Sequence, residues 1–85
     1  MIGDPSRDIT VEYYAQLREQ AGVSREIVHT AAGDPASLYD ELQHRHGFTL
    51  PRAMLKVAVN AAFVEWSQPL RDRDIVVFVP PVAGG

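Results

Sequence analysis

The residues whose types and order could do chemistry stand at the end of the chain: Pro80-Pro81-Val82-Ala83-Gly84-Gly85. Two prolines favour an extended, stiffened backbone, and the small residues after them leave a thread with almost no side-chain bulk. Fully extended, Pro81 to Gly85 reaches about 17 Å, at about 3.3–3.6 Å per residue, enough to carry a terminal carboxylate into another protein's active site. That carboxylate is ionised at neutral pH and is therefore a poor electrophile, so acyl chemistry would require its activation by another enzyme. Paired glycines suit such a step, because a β-carbon would obstruct close approach by an activating enzyme's backbone, a nucleotide phosphate and a sulfur donor. A plain frayed chain end has the same composition, so on the residues alone both readings stand.

The other constellations are poorer in chemistry. His44 and His46 are two apart and diverge on a helix, while His29 is on a separate element, so three histidines converging on a metal are not expected. The adjacent Asp40 and Glu41 face different directions and read as a solvated face rather than an acid–base pair. The glycines form neither GxGxxG nor a phosphate-binding loop. Ser6, Ser24, Ser37 and Ser67 have no adjacent histidine to act as a base. Absence of cysteine excludes disulfides, thiol catalysis and cysteine metal sites, and is compatible with a reducing cytosol. Tyr14 and Phe78 are aromatics near the root of the tail that either anchor a partner or pack the core. Trp66, between Glu65 and Ser67, either caps the core edge or meets a partner.

The elements that must position the tail are bounded by size and composition. Eighty-five residues make one small domain, able to bury about 60–65% of the unfolded chain's surface. At 46% hydrophobic and 22% charged, the composition is that of a globular chain. No apolar run is long enough to cross a bilayer. Eight basic against eleven acidic residues give a formal charge of −3, and signs alternate, as in Arg71-Asp72-Arg73-Asp74. That pattern lacks the basic face of a nucleic-acid binder. The start, MIGDPSRDIT, has neither the basic opening nor the apolar run of a secretory signal, so the protein is expected in the cytoplasm.

Residues 1–7 carry no periodicity and read as a flexible lead-in. Ile9, Val11 and Tyr13 then alternate with polar residues, the period of a strand with one buried face. Ala15 to Ala21 are helix formers ended by Gly22, and Arg25 to Thr30 fits a short second strand. Asp34 as cap, Pro35 in the first turn and Gly47 past the end delimit the main helix. Its apolar stripe is Leu38, Tyr39 and Leu42, onto which Phe48 folds back. Leu55, Val57 and Val59, a turn at Asn60, then Phe63-Val64 predict a hairpin. Ile75 to Val79, apolar on both faces and closed by Pro80-Pro81, is expected at the centre of the sheet. One main helix covers one face of a four- or five-stranded α+β sheet, leaving the other face polar or available to a partner.

The stretch Val11-Glu12-Tyr13-Tyr14-Ala15-Gln16-Leu17-Arg18-Glu19, then Val59-Asn60, Pro69-Leu70, Asp72, Asp74 and the ending Phe78 to Gly85 resemble the molybdopterin synthase small subunit, the MoaD-type sulfur-carrier family. The resemblance runs from about residue 8 to residue 85. It implies a ubiquitin-like β-grasp domain over residues 8–81, a mixed sheet packed on the main helix with a short helix beside it, its first and last strands parallel at the centre. Residues 82–85 would be the extended tail. Gly85 would be adenylated by an ATP-using, ubiquitin-activating-like adenylyltransferase, receive sulfur from a donor protein as a C-terminal thiocarboxylate, and pass it to cyclic pyranopterin monophosphate in the large subunit. Gly84 would give clearance, Pro80, Pro81, Val82 and Ala83 would thread the partner, and Tyr14, Phe78 and Val79 would dock it. The chain would bind no cofactor or metal of its own. Catalytic residues would belong to the large subunit, in a heterotetramer by family analogy. Where family members often carry glycine between the two aspartates, this chain has Arg73. A carrier for the thiazole or another pathway, a ubiquitin-like modifier joined to lysine, and a plain interaction module are the alternatives.

Overall fold

The computed structural model describes residues 6–81. Its elements run β1 (Arg7–Tyr13), α1 (Ala15–Ala21), β2 (Arg25–Thr30), α2 (Pro35–His46), a 3-10 turn (Arg52–Met54), β3 (Lys56–Val59), β4 (Ala62–Val64) and β5 (Ile75–Val79). The five strands form one mixed sheet in the order β2-β1-β5-β3-β4. β1 and β5 are parallel neighbours at its centre, and the other pairings are antiparallel. The mixed sheet and its central parallel pair are those expected.

Local chemistry sets the element ends. Asp34 accepts a hydrogen bond from the Ser37 amide, Pro35 follows in the first turn, and Gly47, at φ 71°, donates its N–H to Gln43 O. These satisfy backbone groups that a helix terminus leaves without partners. β1 begins at Arg7, one residue before the expected domain start, because Arg7 pairs with Thr30 and its guanidinium donates to Ala32 O. The 3-10 turn over Arg52–Met54 was not anticipated; in it the Met54 and Leu55 amides donate back to Pro51 O and Arg52 O.

Alternation on the strands fixes which face is buried. Ile9, Val11, Tyr13, Val28, Val57, Val59, Val76 and Phe78 meet Leu38, Tyr39 and Leu42 of α2 and Leu17 of α1 in one core. An aromatic chain runs through it. Phe48 stacks beside Tyr39 and meets Tyr13 edge-on, Tyr39 meets Phe78 edge-on, and Trp66 stacks parallel to Phe78 with ring centres 5.9 Å apart. Trp66 therefore seals the core edge, with the Arg52 guanidinium over its outer ring at 5.7 Å. Among the described residues no helix is long and apolar enough to cross a membrane.

Candidate functional site at the exit of the central strand

At its first end, β5 is tied into a polar clamp. Asn60 Nδ2 donates to Asp74 Oδ1, the Arg71 amide donates to Asp74 Oδ2, and the Ile75 amide donates to Asn60 Oδ1. The Asn60 amide returns to Ile75 O, and the Thr10 amide donates to Asp74 O. Asn60 and Ala61 form the β3–β4 turn with φ of 51° and 71°, the left-handed pair that a two-residue hairpin turn requires. The motif residues Asn60 and Asp74 thus hold the sheet in register. Asp72 belongs to the same end, accepting from the Asp8 amide at 2.7 Å. Arg73 takes the position where glycine is common and adopts φ 73°, so the left-handed turn is kept with a β-carbon in it.

At its other end, β5 delivers Val79 and Pro80 to the sheet margin. Val82, Ala83, Gly84 and Gly85 lie outside the described residues. The strand's alternation separates the three residues expected to dock a partner. Phe78 is wholly buried between Tyr39 and Trp66, so this side chain packs the core and presents no docking surface. The expectation for it is corrected here: a run apolar on both faces gives no sequence signal of which residues point inward. Val79 faces the opposite way, and Tyr14 is 51% exposed just after β1.

Val79, Pro80 and Pro81 line one groove of about 350 Å³ with Met54, Lys56 and Phe63. Tyr14 lines a different hollow, with Glu12, Arg18 and Arg25. The groove continues onto the open face of the sheet, where Phe63, 70% exposed, lies across from Ala58, and Ala58 across from Val77. Glu12 and Arg25 pair at 3.8 Å farther along the same row, and Ile27 is 73% exposed beyond them. Met54, Lys56 and Phe63 were not singled out from the sequence as site residues. Their signal was alternation, since Lys56 points opposite to Val57 and Phe63 opposite to Val64.

Behind the same sheet end, on the helix side, Tyr13 Oη donates to Glu26 Oε2, and His46 Nε2 lies 2.6 Å from that oxygen. Burial pushes the Glu26 carboxyl up, but the hydrogen bonds from Tyr13 and His46, with the charges of His46 and Arg45, outweigh it and hold it below its ordinary value. Burial, helped by the Glu26 hydrogen bond and charge, pushes the Tyr13 phenol well up. This cluster joins β1, β2 and the end of α2 rather than opening onto the groove. The remaining histidines go elsewhere: His29 Nδ1 lies against Asp8, and His44 Nδ1 against the Asp40 carbonyl. Among the described residues no three metal-ligating side chains converge.

The site is thus an apolar groove at the exit of β5. Glu41 on α2 is occupied by Thr30 and Arg45.

Comparison with known proteins adds to this geometry. The model of the ThiS family matches residues 11–85. The molybdopterin synthase sulfur carrier subunit of Escherichia coli (strain K12) is 36% identical over 83 residues, covering 91% of this chain and 99% of that protein. A structure of molybdopterin converting factor, subunit 1, from Pyrococcus furiosus superposes with a TM-score of 0.77 at 31% identity, covering 91% of this chain and 100% of that one. A complex of subunits 1 and 2 of the molybdopterin-converting factor from Helicobacter pylori contains a chain that matches at TM-score 0.63 and 25% identity, over 92% of this chain and 99% of that one.

Proposed function

This chain belongs to the ThiS family, and from that premise we propose that it is the sulfur-carrier small subunit of a molybdopterin synthase. The observation that carries the reading is the exit of the central strand: β5 ends at Val79, Pro80-Pro81 follow beside an apolar groove, and the sequence runs on to Gly84-Gly85 with nothing bulkier than a valine between. The fold supplies a rigid base and the tail supplies reach.

In this reading the Gly85 carboxylate attacks the α-phosphorus of ATP on an adenylyltransferase and pyrophosphate leaves. Hydrosulfide supplied by a donor protein then attacks the acyl carbon, AMP leaves, and loss of the proton leaves a thiocarboxylate on Gly85. Its sulfur is a stronger nucleophile toward carbon than the carboxylate oxygen; it attacks cyclic pyranopterin monophosphate in the large subunit, and water then cleaves the acyl–sulfur bond and restores the carboxylate. Gly84 leaves the backbone clear at the reacting end, and Pro80, Pro81, Val82 and Ala83 thread the partner. This chain carries the reacting carboxyl and binds neither ATP nor metal itself, while acid–base groups belong to the large subunit.

The pairing of subunits 1 and 2 in the Helicobacter pylori relative supports a large-subunit partner. The 36% identity to a molybdopterin carrier favours that pathway over thiazole synthesis. The test is removal of Gly84 and Gly85. The shortened chain should still bind the large subunit and should form no dithiolene when activating enzyme, ATP, sulfur donor and pterin precursor are supplied. Dithiolene formation by the shortened chain would make it an interaction module instead.

A further inference from the structure

Lys56 is the only lysine of the chain, and it lies in the groove at the root of the tail. It is exposed, stands directly across from Val79 in the β3–β5 ladder, and is surrounded there by Met54, Phe63, Pro80 and Pro81. The ion pairs of the described residues lie elsewhere: Arg25 with Glu12, His29 with Asp8, Arg45 with Glu41, His46 with Glu26 and Arg73 with Asp72. Lys56 thus presents an ammonium with no carboxylate of a described residue in ion-pair range, in a groove that is otherwise apolar. The overall charge of −3 makes this positive point local rather than general.

A partner surface that covers Phe63, Met54 and Val79 strips water from that ammonium. A desolvated charge with no counter-charge opposes association, whereas one met by a carboxylate in a complementary position favours the correct partner and register. Resting on the carrier reading above, we infer that the groove docks a surface of the large subunit that sets a carboxylate against Lys56 within an apolar patch. The pair then fixes Val79, Pro80 and Pro81 in register on the partner surface.

The test uses the full chain and the molybdopterin synthase large subunit from the same genome, with affinities measured at low and at high salt for the natural chain, Lys56→Met, Lys56→Glu and Phe63→Ala. Lys56→Met should weaken binding about 10-fold and flatten its salt dependence, and Lys56→Glu should weaken it about 30-fold or more. Phe63→Ala should weaken binding while leaving the salt dependence intact. Because Lys56 is exposed, unchanged thermal unfolding will confirm that each variant is folded. Lys56→Glu binding as tightly as the natural chain, while Phe63→Ala binds weakly, would overturn the carboxylate pairing and leave the carrier reading standing. Failure of the natural chain to bind the large subunit would instead overturn the carrier reading. The single side-chain amine also allows one ¹³C-methyl probe on Lys56. If its signal in the free chain moves on deletion of Gly84 and Gly85, and Lys56→Met binds more tightly, the occupant is the chain's own terminal carboxylate and the inference fails.

Discussion

The two ends of β5 are built on opposite principles. Where the strand begins, the buried Asp74 is met by Asn60 and the Arg71 amide, and the amides of Asn60, Arg73, Asp74 and Ile75 each find an acceptor. Where it ends, Val79 and the prolines stand in an apolar groove with exposed Met54 and Phe63 and a lysine lacking a counter-ion among the described residues. A satisfied polar network specifies one geometry; an uncovered apolar margin is completed by another molecule. The strand is anchored at one end, and at the other it delivers Pro80 and Pro81 to the sheet margin.

Breaking the core between the two ends should have the largest effect. Phe78→Ala should cost about 3–5 kcal/mol, the usual loss for emptying a buried phenylalanine site, read as a fall in the urea midpoint. A loss below about 1 kcal/mol would mean that Phe78 is not the packing centre that its contacts with Tyr39 and Trp66 describe. Asp74→Ala removes the acceptor of Asn60 and of the Arg71 amide, which should cost about 1–3 kcal/mol while leaving affinity for the large subunit unchanged in whatever fraction is folded. Weaker docking by folded Asp74→Ala would blur the division between the ends.

Acidity probes the helix side of the tail end. The folded Glu26 carboxyl sits below its ordinary value, so its share of stability is present above that value and is lost as pH falls through the depressed one. Glu26→Gln should flatten the acid limb of a stability–pH curve, and an unchanged limb would remove Glu26 from the account. The smallest effect belongs to Arg73→Gly, which relieves a β-carbon at φ 73° and keeps the amide that donates to Asp8 O. Offset by glycine's greater unfolded freedom, it should raise stability by roughly 0.5–1 kcal/mol. Destabilisation would mean that the Arg73 side chain holds more than its distant 3.9 Å approach to Asp72.

Most of this architecture was legible because its signals are local. Asp34, Pro35 and Gly47 mark α2 within a short stretch, and Ile9, Val11 and Tyr13 mark the buried face of β1 by spacing alone. What stayed hidden joins distant residues. Tyr13, Glu26 and His46 meet only after β1, β2 and α2 assemble, and Asn60 finds Asp74 only when β5 lies beside β3. Phe78 stands between core and docking surface in the sequence for a different reason: Ile75 to Val79 is apolar throughout, and without alternation the sequence does not distinguish the residues under α2 from those on the open face; the structure puts it in the core. The groove was half legible, since its prolines and Val79 were read from the tail, while Met54 enters it through a 3-10 turn that no residue pattern announced.

The most direct test of the central claim is the intact mass of the chain after incubation with ATP, the activating enzyme and a sulfur donor, beside the form lacking Gly85. A sulfur carrier gains mass equal to exchange of one carboxyl oxygen for sulfur in the full chain and none in the shortened one. An unchanged mass, with an activating enzyme shown to be competent on another carrier, would contradict that claim.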